Sequence, residues 1–264
     1  MRILVLGDVV GRPGREAIRG IIPSFVKSDK IDLVVANAEN ASGGIGVDIK
    51  GAEELFSAGI QVLTSGNHVW KKKEIYSYLE ANPRLLRPAN YPDRAPGRGW
   101  LEWEHEARLR ALIIKLEGRI FMRNLEDPFR CVDKILQGHA QFSPVVLVDM
   151  HAEATSEKNA MGWFLDGRVS LVFGTHTHVQ TADERILPGG TAYITDIGMC
   201  GPMDSVIGVE KETVIEGFLS QLPRRYEVAR GDVIVQGVLL DVDEASGRAK
   251  EILRIRIPWK KAGV

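Results

Sequence analysis

Cysteine is nearly absent from this chain of 264 residues: Cys131 and Cys200 are the only two. Two thiols cannot build a disulfide framework or a Cys₄ zinc site, so a reducing cytoplasm suits the chain and any bound metal must use nitrogen and oxygen ligands. An excess of either charge is also missing, since 34 basic and 35 acidic residues leave a net charge of −1. This excludes a polybasic nucleic-acid coat and an acidic disordered tail. Long apolar runs are lacking too. The first stretch stops at Gly7-Asp8, too early for a signal sequence, and no later segment approaches the roughly 18 apolar residues of a membrane span. With no repeat, low-complexity tract or Pro/Ser-rich linker, the expectation is a single domain over residues 1–264 with no membrane partner.

What is present is an alternation of short branched apolar runs with longer amphipathic ones, the pattern of βαβ units around a mostly parallel sheet. Strands are predicted at Arg2–Leu6, Asp32–Ala36, Gln61–Thr64, Arg110–Leu116, Val145–Met150, Val169–Phe173 and Thr191–Thr195. Helices are predicted at Pro13–Lys27, Ile49–Ser57, Lys72–Glu80, Asp127–His139, Ser156–Phe164 and Glu210–Leu222. Pro23 should end or kink the first helix near Ile22. After Pro223 two longer runs, Asp232–Val242 and Lys250–Ile257, read as an antiparallel hairpin that closes a sheet and could pair between subunits in a homo-oligomer. Arg87–Gly99, rich in Pro and Gly, reads as a long loop.

Five of these apolar runs each deliver a metal-capable side chain near their carboxyl end: Asp8, Glu39 with Asn40, Asn67 with His68, His151, and His176 with His178. Ligands of an open parallel sheet bind beyond the strand carboxyl ends, so these positions should converge. Taken singly, Asp8 reads as a turn residue and His151 as a structural histidine, as do His105 and His139. His176-Thr177-His178 is more specific, because on extended backbone side chains two apart point the same way. Four of the six histidines fall within this set. Three imidazoles, two carboxylates and two amides suit Fe, Mn, Zn or Co and are too rich in nitrogen for a calcium cage. Seven donors exceed what one ion takes. Two ions about 3.5–4 Å apart, bridged by a carboxylate and a water-derived hydroxide, would use them all and make a hydrolytic site for a phosphoryl group. His68 is placed to act as general acid on the leaving oxygen, or else as a ligand or its support. The glycines of Gly7-x-x-x-Gly11-x-x-Gly14 fit neither a dinucleotide fingerprint nor a Walker loop, and should let backbone approach the metals and start a helix. Cys200 reads as a small buried hydrophobe.

These residues resemble the calcineurin-like metallophosphoesterase superfamily. More narrowly, the stretches Gly7–Gly14, Ala36–Gly44, Leu63–Trp70, Asp149–Lys158 and Gly174–Gly190 resemble the YmdB-type bacterial phosphodiesterases, and the similarity covers nearly the whole chain. The resemblance implies a four-layer αββα sandwich with metal ligands at strand C-terminal ends. It also implies a di-iron or related centre of divalent or mixed-valence ions, and hydrolysis of 2′,3′-cyclic nucleotides to 3′-nucleotides. One metal would be held by Asp8, Asn40 and His178 and the other by Asn67, His151 and His176, with Glu39 bridging and His68 as proton donor. Val10 stands where many superfamily members have the His of an Asp-x-His motif, and Glu39 replaces the usual bridging Asp; both match the narrower family. Lys71 is assigned no role.

Two other functions stay open at this level. A nuclease acting on RNA or DNA would keep the same metals, but near-neutral charge favours a small nucleotide over a polymer. A regulatory protein could keep the metal site and work through a partner.

Overall fold

A computed structural model describes residues 1–105 and 109–260. Its strands form two sheets. The first contains β1 (Arg2–Val9), β2 (Leu33–Asn37), β3 (Val62–Thr64), β4 (Leu85–Leu86), β11 (Met199–Pro202), β12 (Val233–Val242) and β13 (Ala249–Trp259), in the order β13-β12-β11-β1-β2-β3-β4. The second contains β5 (Trp100–His105), β6 (Leu109–Glu117), β7 (Val146–His151), β8 (Leu171–Thr175), β9 (Arg185–Ile186) and β10 (Ala192–Ile194), in the order β5-β6-β7-β8-β10-β9. Helices α1 (Gly11–Asp29), α2 (Ile49–Ser57) and α3 (Ile75–Ala81) connect strands of the first sheet. Helices α4 (Pro128–His139) and α5 (Thr155–Phe164) connect strands of the second, and α6 (Lys211–Ser220) precedes β12.

The apolar runs are unbroken because the strands are buried on both faces. On β1, Ile3 and Val5 enter a cluster with Ile113 of β6, Leu147 of β7 and Phe173 of β8, whereas Leu4 and Leu6 pack with Ile18 of α1 and Leu55 of α2. On β7, Leu147 faces the shared cluster, and Val146, Val148 and Met150 pack with Val132 of α4 and Met161 of α5. One apolar cluster therefore joins the sheets, and each sheet carries helices on its other side.

The alternation of runs alone points to a mostly parallel sheet and the family resemblance to two sheets; the structure has two, both mixed. The short strands β4, β9 and β11 carry too few residues to show a period, and β5 alternates charged with aromatic residues along an edge. The helix expected at Lys72–Glu80 forms as α3 but starts three residues later, and a 3₁₀ turn at Val69–Lys71 precedes it. Pro23 does not end α1, which continues to Asp29. Pro23 and Arg19 are both exposed, so the Arg19 carbonyl that loses its donor faces water rather than the core. The C-terminal hairpin forms as expected, but β12 is interior, antiparallel to β1 over Arg2–Leu6. That leaves β13 at the edge, where Lys250, Glu251, Arg254, Arg256 and Pro258 are of the kind that discourages edge pairing. Among the described residues no helix is long and apolar enough to cross a membrane.

Candidate metal centre

The sequence-predicted site residues come from both sheets. Asp8, Glu39, Asn40, Asn67 and His68 lie at the carboxyl ends of β1, β2 and β3 or just beyond them, and His151, His176 and His178 at those of β7 and β8. On β1 the pairing with β2 slips between Leu6 and Asp8. The irregularity falls at Gly7, where a Cβ would lie 2.1 Å from the Gly198 carbonyl oxygen. A slip of this kind turns the next side chain onto a new face, and the side chain turned here is that of Asp8.

One donor atom from each of Glu39, His151 and His176 lies within 4.8 Å of the others, and the same holds for Asp8, Glu39 and His178. Glu39 belongs to both groups. Asn67 joins the first, its Oδ1 standing 3.0 Å from His151 Nε2. Asn40 joins the second, but it turns its amide nitrogen to His178 Nε2 (3.0 Å) and its oxygen to His68 Nδ1 (3.0 Å), so ligation through the oxygen would require the amide to turn over. His68 stands at the rim, part-exposed, with Nδ1 3.6 Å from Glu39 Oε1. His105 and His139 lie elsewhere, against Trp103 and Trp100.

The hydrogen bonds behind the three inner histidines fix which ring nitrogen carries the proton. Thr175 Oγ1 donates to Asp149 Oδ1 (2.7 Å), and Lys115 Nζ donates to Thr175 Oγ1 (3.1 Å). The hydroxyl has spent its one hydrogen, so at 2.9 Å it can only accept from His151 Nδ1. His178 Nδ1 donates to the Ile207 carbonyl at 2.8 Å, and His176 Nε2 faces Glu153 Oε2 at 3.2 Å. Each ring is thereby left with a lone pair aimed at the centre. Burial also pushes His151 and His176 below the usual imidazole range despite the pull of Glu39, a shift that favours the neutral form of each.

A cation fits this arrangement. Around His151 Nε2 stand Glu39 Oε2 (3.0 Å), Asn67 Oδ1 (3.0 Å) and His176 Nδ1 (3.1 Å), three acceptors facing a fourth. Such contacts repel unless a positive charge lies between them. In the second group Asp8 is fully buried, its Oδ1 has no hydrogen-bond partner, and burial drives its pKa well above the carboxylate range, with Glu39 and Asp196 adding to the rise. Gly66 keeps the space open, since a Cβ there would sit 2.2 Å from both Glu39 Oε2 and His151 Nε2.

A family model described as YmdB-like protein matches residues 4–255. The chain belongs to the YmdB-like protein family. It is 46% identical over 257 residues to a Bacillus subtilis (strain 168) protein named 2′,3′-cyclic-nucleotide 2′-phosphodiesterase, covering 97% of both chains. It superposes on a crystal structure of a hypothetical protein from Thermus thermophilus with a TM-score of 0.92 and 41% identity, over 98% of this chain and 99% of that one. A crystal structure of a novel phosphatase from Mycoplasma pneumoniae gives the same TM-score at 35% identity, over 98% and 93%.

Several residues of this YmdB-like site have no role in the sequence reading. Glu153 and Ile207 hold His176 and His178, and Lys115, Asp149 and Thr175 hold His151. Lys115 was the legible one, a lone lysine inside an apolar strand that must have a buried partner. A backbone carbonyl such as that of Ile207 leaves no trace in sequence. Of the three motif glycines, Gly7 and Gly14 admit the backbone of Gly198 and Cys200, and Gly11 starts α1. Cys200 is buried in the core of the first sheet, as expected.

Proposed function

We propose that this chain is a bimetal phosphodiesterase that hydrolyses 2′,3′-cyclic nucleotides to 3′-nucleotides. The observation that carries the reading is the set of lone pairs converging on His151 Nε2 and on the orphaned Asp8 Oδ1, which calls for cations. Asp8, Asn40 and His178 would hold one, and Asn67, His151 and His176 the other, with Glu39 shared. Fe suits this donor set, as do Mn, Zn and Co. Bound there, two cations would lower the pKa of a water and hold the phosphoryl oxygens. As the water oxygen bonds to phosphorus, the bond from phosphorus to O2′ breaks and O2′ takes a proton. His68 is the donor in this reading: Nδ1 faces the Asn40 amide, whichever way that amide is turned, which leaves Nε2 for transfer. Burial lowers the His68 pKa, and Glu39 opposes the fall and favours the charged ring that donation needs.

The neighbouring cavity, about 680 Å³, supports a small substrate over RNA. Among the described residues neither Lys nor Arg lines it, whereas Glu153 and Glu227 do, so the flanking phosphates of a polymer would meet carboxylates. The similarity to the Bacillus protein supports the choice of cyclic nucleotide. We read residues 1–264 as one domain in the four-layer αββα order, a reading supported by the apolar cluster shared between the sheets.

The test measures metal per chain and turnover of 2′,3′-cyclic AMP against 3′,5′-cyclic AMP, a phosphomonoester and short RNA. Glu39→Gln should lose metal and activity together. His68→Ala should keep its metal and lose about 10²–10⁴-fold in kcat. Less than one metal per chain under replete conditions sinks the bimetal reading, and cleavage of RNA alone moves the assignment to a nuclease.

A further inference from the structure

The cavity has a second face that the phosphodiester chemistry does not use. From His68, His176 and His178 it runs to a wall of Ile45, Ile207, Tyr226 and Val228. Three of these are large hydrophobic side chains left open to solvent: Tyr226 is 56% exposed, Ile207 48% and Ile45 39%. They come from two distant segments that meet at the mouth of the metal centre, so scattered surface exposure does not account for them.

The wall is held in place at a conformational cost. Ile207 has φ 48°, a left-handed conformation that a β-branched residue rarely adopts. It is braced by antiparallel bridges from Val206 to Val209 and from Val209 to Val228, and by Ser205 Oγ, which accepts from the Gly208 amide at 2.9 Å. Val228 is seated against Gly11 and Gly44, both at positive φ, where an added Cβ would come within 2.8 Å of its methyl group. The Ile207 carbonyl accepts from His178 Nδ1. The strap that aims a candidate metal ligand therefore also presents the apolar wall, and strain of this kind persists where the surroundings fix it for a purpose.

Resting on the phosphodiesterase reading, we propose that Ile45, Ile207, Tyr226 and Val228 form a nucleobase subsite in which the Tyr226 ring is the stacking face. The occupant follows from the chemistry of the lining. With no Lys or Arg among the described residues at the cavity, the part of the ligand far from the metals carries no phosphate. Aliphatic side chains offer it no hydrogen bonds, and an exposed phenol ring offers a π-face. A flat heterocycle meets these conditions, and its identity is read weakly because every base has a π-face. The cavity volume lies within the range of about 300–1,000 Å³ typical of small-molecule sites.

The test compares kcat/KM for 2′,3′-cyclic AMP with kcat/KM for 1,2-cyclic glycerol phosphate, a five-membered cyclic diester without a base, in the metal-replete enzyme. Tyr226→Ala should lower the ratio of the two by roughly 5- to 150-fold, chiefly through KM for the nucleotide. Tyr226→Phe should retain most of it. Ile45→Ser, on the other segment, should lower the ratio in the same direction. A ratio unchanged within about twofold in Tyr226→Ala and Ile45→Ser overturns the subsite, as does a wild-type enzyme that turns over the glycerol diester with no preference for the nucleotide; the phosphodiesterase reading survives both. Turnover of neither diester overturns both.

Discussion

Individual residues at this site work in pairs, one facing the centre and one behind it. The strand-end motif His176-Thr177-His178 was expected to aim two imidazoles the same way from extended backbone. Instead β8 ends at Thr175, and His176 and His178 take φ of 100° and 62°. The two rings separate, His176 toward His151 and His178 toward Asn40 and Asp8, so one motif serves both candidate groups. Behind His151, Lys115 and Asp149 are an entirely buried ion pair at 2.7 Å, and Asp149 Oδ2 also accepts from Thr64 of the opposite sheet at 2.6 Å. Asp149→Asn would leave the lysine charge uncompensated, at a cost of about 3–5 kcal/mol in a urea melt of the apoprotein. Lys115→Met with Asp149→Asn should recover most of that stability. Metal affinity should stay about 10–100-fold weak in the double variant, because the Thr175 hydroxyl loses the Lys115 donor and the Asp149 carboxylate that hold it as the acceptor for His151 Nδ1. Full recovery of metal binding in a titration would show that the pair acts on stability alone.

Elements in this fold tolerate local irregularity where it faces water and exploit it where it faces the site. The slip at Gly7 in β1 lies next to Asp8, whereas Pro23 sits on the solvent side of α1 and only removes one hydrogen bond. Pro23→Ala restores that bond without touching the core. It should raise the stability of the protein by about 1–3 kcal/mol, seen as a rise in Tm of a few degrees, with kcat/KM unchanged. A fall in Tm would mean that the proline ring itself supports packing against Phe25 or Val26. The long helices were legible because their apolar spacing is regular. The missed elements were β4, β9 and β11, of two to four residues, and β5, whose face is half solvated.

At the scale of the whole molecule the candidate ligands link two sheets. Asp8, Glu39, Asn40 and Asn67 come from the first, and His151, His176 and His178 from the second, so cations held between them would bind the folded chain and not the unfolded one. Removing metal with a chelator should therefore lower Tm by roughly 5–10 °C, the equivalent of losing about 2–3 kcal/mol of binding linkage. Glu39→Gln should show the lower Tm already and respond little to the chelator. An unchanged Tm in the wild type would mean that the sheets are held by the apolar cluster alone.

The sequence by itself determined the chemistry of the candidate centre: with almost no cysteine, the donors had to be histidine, amide and carboxylate, and the strand ends told where along the chain they lie. Strand carboxyl ends are legible because apolar runs are local, and so are the polar residues that follow them. The resemblance implied two sheets and a shared Glu39, and the structure brings both about; tertiary structure alone decided that Ile207, Glu153 and Thr175 set the proton on each imidazole. Those choices depend on atoms brought together from residues 8 to 207, and the sequence carries no local signal of distance between segments so far apart.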